Sequence, residues 1–412
     1  MPITLTVPLD LPDVRVLANR MLADGTVLIE VESTLQTTQC HRCGRMIDRF
    51  HGFDRPIRLR HLPVFGRHVV VEIRPKRYRC PCYEGGPTTT QRCAWYDPNR
   101  PHTTAFEQDV LKRLIHSTVA DVSRQLDVGV KAVEGIMDQR LAPAVDWTAF
   151  PALETLGIDE VALLKGQGHY VAVIWARDAQ RQPHVLAVLP DRLQATVQAF
   201  LQTIPLPLKA TVRRVCIDLW EGYAGAAAAL PNAHIVVDRF HVAVHYREAV
   251  DEVRKAECRR LNAERPPERA VPTAELRPLL RREWRSLNPD QQGRRVELFE
   301  LTPTLASAYV LRTLLTATFD HSPDRTTAQT RLQRWTEQVK ASGLSCFDKF
   351  INTLHNWQDG ILNYFDGWHT RGFVKGLNHK LKLLKRRCFG LDDPGELFRR
   401  LWLDIEGPRL WV

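Results

Sequence analysis

The sequence predicts a multidomain α+β protein whose segments differ in texture along the chain. Residues 1–100 are rich in short runs that alternate apolar and polar side chains, as half-buried strands do. Residues 104–141 have the apolar spacing of amphipathic helices, and residues 152–260 alternate strand-like and helix-like runs. Residues 261–372 are polar and helical in pattern, with no strand-like run. A β module, a helical segment and a mixed α/β domain with a helical stretch are therefore expected.

Bulk composition is that of a globular protein with a basic balance. The chain has 412 residues, 44% of them hydrophobic and 25% charged, which suits about two to four domains. A net charge of +10 favours a polyanionic partner. We expect no membrane partner, because no apolar run is long enough to cross a bilayer and the N-terminal residues lack the features of a signal peptide. Nine cysteines in such a chain favour thiols or a metal over disulfides.

Five of the cysteines lie in the β module, in a spacing typical of zinc ligands. Cys40 and Cys43 form "CHRC", Cys80 and Cys82 form "CPC" at the end of a predicted strand, and Cys93 follows. Zinc takes four soft ligands in a tetrahedron. We therefore predict one structural Zn²⁺ bound by Cys40, Cys43, Cys80 and either Cys82 or Cys93. The fourth ligand stays open because C-x-C is tighter than the usual pair, and five unrelated thiols are the alternative. The arginine-rich stretch between the pairs fits contact with DNA phosphates, although solvated charge also explains it.

The helical segment at 106–141 has the layout of a helix-turn-helix. Two apolar-faced helices are separated by a turn at Gly129. The second helix of such a motif enters the major groove. Lys131, Gln139 and Arg140 are its candidate DNA-contacting residues. An ordinary helical hairpin is the alternative.

Three aspartates end predicted strands of the α/β domain. Asp159 lies in "GIDE", Asp218 in "VCIDLW" and Asp238 in "VVDRFH". Carboxylates at neighbouring strand ends can share a pair of divalent metals that serve phosphodiester chemistry, and Mg²⁺ prefers such oxygen ligands. The alternative is that a strand-end Asp caps the next helix, and this is strongest for Asp238. Glu160 alternates to the face opposite Asp159 and is a poorer ligand candidate.

Four motifs occur in the order "GIDE", "DLWEGY", "PNAHIVVDRFHV" and "GLNHKLKLLKRRCFG", downstream of "CHRC". Together they resemble the signatures of the ISL3 family of DDE-type insertion-sequence transposases, over essentially the whole chain. The resemblance implies a ribonuclease-H-like catalytic core with an all-α insertion. It implies binding to the terminal inverted repeats of an insertion sequence and to target DNA, with strand cleavage and transfer that depend on Mg²⁺ or Mn²⁺. We also expect a homo-oligomer on double-stranded DNA and a cytoplasmic, nucleoid-associated protein of a prokaryote.

The resemblance also suggests how the chain divides. Five segments are expected, namely a zinc-binding basic module at 1–100, a helix-turn-helix domain at 101–150, the first part of the core at 151–260, the helical insertion at 261–350, and the C-terminal helices of the core at 351–412.

One position departs from the family pattern. The resemblance matches Asp159 to the first catalytic aspartate and Asp218 to the second, but the third acid, expected just before "GLN", is replaced by Lys375. An ammonium group repels a metal ion, so Asp366 or Glu396 would have to compensate. The alternative function is therefore a catalytically impaired or repurposed transposase that acts as a sequence-specific DNA-binding protein.

The helix predicted around Lys375 is basic on one face and apolar on another. Six of its residues are candidate phosphate contacts, with a solvated face as the alternative: His379, Lys380, Lys382, Lys385, Arg386 and Arg387. In the helical insertion, Trp284 and Trp335 could stack on an unpaired base, although core packing is the stronger expectation for both.

Overall fold

The fold divides into two compact units, described here from a computed structural model. One unit comprises Met1–Ala142 with Glu406–Val412, and the other comprises Pro143–Ile405. The structure describes residues 8–82, 85–142, 144–163, 170–264, 273–366 and 373–411, with the backbone alone at 273–275, 373–375 and 378. No helix in these ranges is both long and apolar enough to cross a membrane.

Nine strands build the first unit. They are β1 (Val14–Met21), β2 (Val27–Ser33), β3 (Thr38–Gln39), β4 (Met46–Ile47), β5 (Phe50–Phe53), β6 (Ile57–Val64), β7 (Arg67–Ile73), β8 (Lys76–Arg79) and β9 (Thr88–Thr90). The largest sheet has the order β1-β2-β7-β6, and smaller sheets have the orders β5-β8-β9 and β3-β4. Buried positions alternate with more exposed ones along β2 and β7, as the sequence pattern of both strands predicts.

Three helices follow in the same unit, namely α1 (Thr104–Leu114), α2 (Val119–Leu126) and α3 (Val130–Arg140). The Thr118 hydroxyl caps α2 by accepting from the Asp121 amide, and α2 ends at Asp127 in the left-handed conformation. Gly129 then forms the N-cap of α3. The short turn packs the apolar faces of the two helices together, which is the arrangement expected of a helix-turn-helix.

A buried carboxylate ties these helices together. The side chain of Glu107 on α1 is fully buried, and it lies 2.7 Å from the Arg100 guanidinium and 2.5 Å from that of Arg140. Arg140 is the last residue of α3, so this ion pair joins the first and third helices. A buried carboxylate needs such partners, because the charge loses its hydration on folding.

A five-stranded sheet forms the centre of the second unit. Its strands are β10 (Thr155–Ala162), β11 (Tyr170–Arg177), β12 (Pro183–Leu189), β13 (Arg214–Ile217) and β14 (His234–Val237). They lie in the order β12-β11-β10-β13-β14. The first three strands along the chain are antiparallel neighbours, whereas β10, β13 and β14 run parallel.

Twelve α-helices lie among the described residues of the rest of the chain. They are α4 (Gln194–Thr203), α5 (Leu206–Thr211), α6 (Glu221–Ala227), α7 (Arg239–Glu264), α8 (Thr273–Arg281), α9 (Pro289–Leu301), α10 (Pro303–His321), α11 (Arg325–Ser342), α12 (Asp348–Asn356), α13 (Gln358–Leu362), α14 (Phe373–Arg387) and α15 (Pro394–Trp411).

The two faces of this sheet pack against different helices. Ile158 and Ile174 belong to an apolar cluster that includes residues of α4 and α6. Val173 and Cys216 belong to a second cluster, which includes residues of α7, α10, α11 and α14. Because side chains alternate along a strand, successive side chains of β10 point toward opposite helix layers.

The two tryptophans of the helical segment differ in their surroundings. Trp335 is 2% exposed, packs against Phe347 and Phe350, and donates from Nε1 to the Leu311 carbonyl at 2.7 Å. Trp284 is 47% exposed and lies over the Arg295 guanidinium. Trp335 is therefore a core residue, and only Trp284 presents a ring to solvent.

This difference gives a matched test of stability. Trp335→Ala should lower the free energy of unfolding of the second unit by about 3–5 kcal/mol, the usual cost of deleting a buried aromatic side chain. Trp284→Ala should lower it by less than about 1 kcal/mol, because that ring is half-exposed. Denaturant titration of the full chain measures both. Equal losses for the two variants would contradict the assigned packing.

Candidate metal sites and nucleic-acid interface

The cysteine cluster lies where a tight turn after β3 meets the end of β8. Within the turn, the Gly44 amide donates to the Cys40 carbonyl at 3.0 Å, and Gly44 has a φ of 71°, which favours glycine. The Sγ atoms of Cys40, Cys43 and Cys80 all lie within 4.8 Å of one another. Cys43 Sγ is 3.6 Å from Cys80 Sγ and 3.9 Å from Cys82 Sγ.

These separations fit a zinc tetrahedron. Zn–S bonds of about 2.3 Å place tetrahedral sulfurs about 3.8 Å apart. The backbone N–H groups of Cys43 and Arg42 lower the pKa of the Cys40 thiol to about 6, which favours the thiolate that binds metal. The donor set and its spacing are therefore those of a structural zinc site.

Cys93 lies in different surroundings from this cluster. It is buried in an apolar cluster with Leu59 and Trp95, whereas Cys40 and Cys80 share a separate cluster. Burial raises the pKa of the Cys93 thiol, which disfavours a thiolate there. Of the two candidates for the fourth ligand, the geometry favours Cys82.

The three candidate DNA contacts of α3 differ in exposure. The Lys131 side chain is 95% exposed and only loosely paired with Glu134 at 3.1 Å, and Gln139 is also exposed. The Arg140 guanidinium, in contrast, is bound to Glu107. Lys131 and Gln139 therefore lie on the open face of the helix, while Arg140 has a structural partner.

The strand register brings the aspartates level with one another. In the parallel pair β10–β13, Gly157 lies opposite Cys216, so the same register places Asp159 opposite Asp218. In the pair β13–β14 the same reasoning places Asp238 beside Asp218. Neighbouring strands are about 4.8 Å apart, so the three residues form a row at one end of the sheet.

Asp159 and Asp218 also share one face of the sheet. Asp159 pairs directly with Val173, which belongs to the apolar cluster that includes Leu381 of α14. Cys216, two residues before Asp218, belongs to the same cluster. Asp159 and Asp218 therefore lie on the face that packs against α14. Asp238 instead caps α7, because its Oδ1 accepts from the Phe240 amide at 2.9 Å.

The carboxylates in this row repel one another. Burial raises the pKa of Asp218 to about 6; the charge of His241 opposes this shift, and the charges of Glu160 and Asp159 add to it. Asp159 itself is only 8% exposed. Buried and partly buried carboxylates that repel one another suit a divalent cation, and their oxygen atoms are the ligands that Mg²⁺ prefers.

Of the candidates for a third acid, Asp366 lies far from this row. It is 3.3 Å from the Arg325 guanidinium and lines a cavity together with His234 and Arg213, which lie at the beginnings of β14 and β13. Asp159 and Asp218 lie at the other end of the sheet, so Asp366 does not approach them. Glu396 lies in the first turn of α15.

Lys375 itself lies in the first turn of α14, and its side chain is outside the described residues. That helix presents two kinds of basic residue. Lys385 donates to the carbonyls of Ala162 and Leu163, and the Arg387 guanidinium is 2.5 Å from Asp404. Both are therefore occupied by intramolecular contacts. Four others are exposed, namely His379, Lys380, Lys382 and Arg386.

Sequence reasoning missed a cation beside the carboxylates. Glu160, set aside as a poorer ligand, accepts from Arg192 at 2.5 Å. Arg192 lies in the loop between β12 and α4, where no periodic pattern marks a residue. Arg192 contacts the rings of Tyr170 and Trp220, but these contacts depend on the fold and leave no signal in the sequence.

Comparison with known families gives three consecutive matches. Residues 36–82 match the zinc-finger of transposase IS204/IS1001/IS1096/IS1165, and residues 94–141 match the helix-turn-helix domain of transposase family ISL3. Residues 156–401 match the transposase domain model of the same family.

Curated relatives match over most of the chain. A transposase for insertion sequence element IS1001 of Bordetella parapertussis is 30% identical over 91% of this chain and 91% of its own length. A transposase for insertion sequence element IS1557 of Mycobacterium tuberculosis is 23% identical over 90% of this chain and 86% of its own length. A solved Drosophila P element transposase strand transfer complex is similar over 74% of this chain and 92% of that chain, with 10% identity and a TM-score of 0.34.

The cysteine geometry leads to a prediction about zinc. Purified protein should contain about one zinc per chain, the number that a single four-ligand site takes. Cys82→Ser should lower the zinc content and the thermal stability of the first unit, whereas Cys93→Ser should keep the metal. Elemental analysis with thermal denaturation measures both. Loss of zinc from Cys93→Ser with retention in Cys82→Ser would reverse the assignment.

Proposed function

Because this chain belongs to the ISL3 family of DDE transposases, we propose that it acts on the ends of an insertion sequence, with Asp159 and Asp218 as its metal ligands. It is a DNA transposase, and divalent-metal catalysis and a structural zinc follow from its family. The observation that carries the proposal is the register that sets these two aspartates opposite each other on parallel strands.

A ribonuclease-H-like core is part of the proposal. Three antiparallel strands followed by two parallel ones, with helices on both faces, support it. The helical run from α8 to α12 would then be an all-α insertion between β14 and α14. The expected boundaries at 100, 150, 260 and 350 remain proposals.

The chain's own residues would position the reacting groups. Asp159 and Asp218 offer carboxylate oxygens from two strands, and Asp238 is a further candidate although it caps α7. A divalent metal held there activates an attacking oxygen and stabilises the leaving one. Water and then a 3′ hydroxyl would be the nucleophiles. Helix α14 packs on the face that carries Asp159 and includes position 375, where the family pattern has the third acidic ligand and this chain has a lysine.

DNA recognition is proposed to involve two surfaces. Lys131 and Gln139 on the open face of α3 would read the terminal inverted repeats in the major groove. The four exposed basic residues of α14 would bind phosphates of the repeat or of the target DNA. A homo-oligomer on DNA is also proposed, because two ends must be joined in one reaction.

Lys375 decides how well the chain catalyses. The comparisons do not favour a protein reduced to DNA binding, since the catalytic segment is matched throughout residues 156–401. A lysine of ordinary pKa is protonated at neutral pH and offers no lone pair to a metal. The family activity is therefore assigned to the chain, with a metal site that position 375 weakens.

This reasoning predicts an order of cleavage rates. Lys375→Glu should raise the rate of end cleavage in Mg²⁺ or Mn²⁺, because it supplies a carboxylate and removes a repelling charge. Asp159→Ala in that background should abolish cleavage, whereas Asp366→Ala should leave it unchanged. Gel assays of labelled end duplex by the four proteins measure this. Cleavage by the unmodified chain as fast as by Lys375→Glu would place the third ligand elsewhere.

The second prediction concerns DNA binding. Lys131→Ala in the full chain should weaken binding to end duplex about tenfold, the effect of losing one contact in the groove or to a phosphate. Lys112→Ala removes an exposed lysine from α1 instead and should change affinity less than about twofold. Affinity should also fall steeply with salt, because phosphate contacts release counterions. Equal binding of end and random duplex would contradict the specificity.

A further inference from the structure

Arg192 lies at the same end of the central sheet as the two aspartates. Tyr170 opens β11 beside the end of β10, the strand of Asp159, and Trp220 follows Asp218 by two residues. Arg192 follows β12 and meets both rings. Four strand ends thus bring a cation and two aromatic side chains to the edge of the sheet that carries the aspartates, on the face of Glu160 rather than that of Asp159.

The contacts around Arg192 fix its guanidinium without covering it. The group lies 4.8 Å from the centre of the Tyr170 ring and 5.8 Å from that of Trp220, within the range of cation–π contacts. Its Nη1 donates a hydrogen bond to Glu160 Oε2 at 2.5 Å. The side chain is still 44% exposed. Part of the side chain is therefore accessible to a ligand.

The position of Trp220 is itself built into the chain. Its amide donates to Asp218 Oδ1 at 3.1 Å, so the ring is tied to the turn that carries the aspartate. A Cβ at Gly222 would lie 2.5 Å from the ring, so glycine leaves the room that the ring occupies. The support of Arg192 is thus coupled to the position of Asp218.

A purely structural ion pair explains this arrangement poorly. A half-exposed Arg–Glu pair stabilises a fold little, because water screens it. Neutralising the carboxylates does not require a side chain held between two rings and left open to solvent. An arginine fixed in this way is suited to bind a phosphate with its planar fork.

We propose that Arg192 binds a phosphate of the DNA strand that is cut, where that strand crosses the edge of the sheet that carries Asp159 and Asp218. The carboxylates repel a phosphodiester, so a fixed cation at the same edge of the sheet would help to hold the backbone near the metal site. Glu160 and the two rings would keep the guanidinium in place before DNA arrives. This inference rests on the proposed function and assigns its substrate contact.

The test uses the full chain with Asp159→Ala, so that the DNA stays uncut, and measures binding to a fluorescent end duplex by anisotropy. Adding Arg192→Ala should weaken binding about tenfold and lower the slope of log affinity against log salt by about 1. Arg192→Lys should recover part of the affinity, since it keeps the charge but loses the fork. Arg213→Ala, an exposed arginine at the start of β13, is the matched control and should change affinity less than about twofold.

Neutral methylphosphonates locate the contact. They are placed singly at the scissile phosphate and at the phosphates on either side. The duplex whose neutral group replaces the phosphate that Arg192 contacts should bind the parent and Arg192→Ala proteins equally, because that contact is already lost in the DNA. Parent-like affinity and salt slope in Arg192→Ala, or the same defect on all three duplexes, would overturn the inference. Failure of end recognition by the parent would instead count against the proposed function, since the effect of Arg192 is still measurable on random duplex.

Discussion

Parallel pairing of β10 with β13 is the constraint on which the rest of the second unit depends. The register sets Asp159 opposite Asp218, although the residues are far apart in sequence. A slip of one residue would turn one of the aspartates to the other face of the sheet. The buried strands hold this register, since Leu156, Val215 and Ile217 are almost fully buried in one apolar cluster. The proposed catalytic geometry thus follows from the packing of the core.

The first unit is stabilised by different means. Its short strands β3 and β4 enclose little apolar area, and the cysteine cluster lies where they meet β8. A zinc ion there replaces the core that so small a module lacks. The helix-turn-helix combines an apolar core with a buried ion pair, in which Glu107 binds Arg100 and Arg140. Removal of Glu107 would leave two arginines without their partner.

The sequence alone predicted the order of segments, the cysteine cluster and the helix-turn-helix, because these follow from local spacing. It could not predict which basic residues remain free for DNA. Lys385 is bound to the Ala162 carbonyl, 223 residues away in sequence, and Arg140 is bound to Glu107. Nor could it show that Asp366 lies beside His234, at the far end of the strands from Asp218. Such pairings depend on long-range packing, and the periodicity of a sequence reports only on local structure.

The central claim is that Asp159 and Asp218 hold one divalent metal together. Calorimetric titration of Mn²⁺ into the zinc-loaded chain bound to end duplex tests it most directly. The account predicts that Asp159→Asn, Asp218→Asn and the double variant all lose the same binding event, because either ligand is needed for the shared site. Losses that add independently, or Mn²⁺ binding that survives in the double variant, would contradict a shared site.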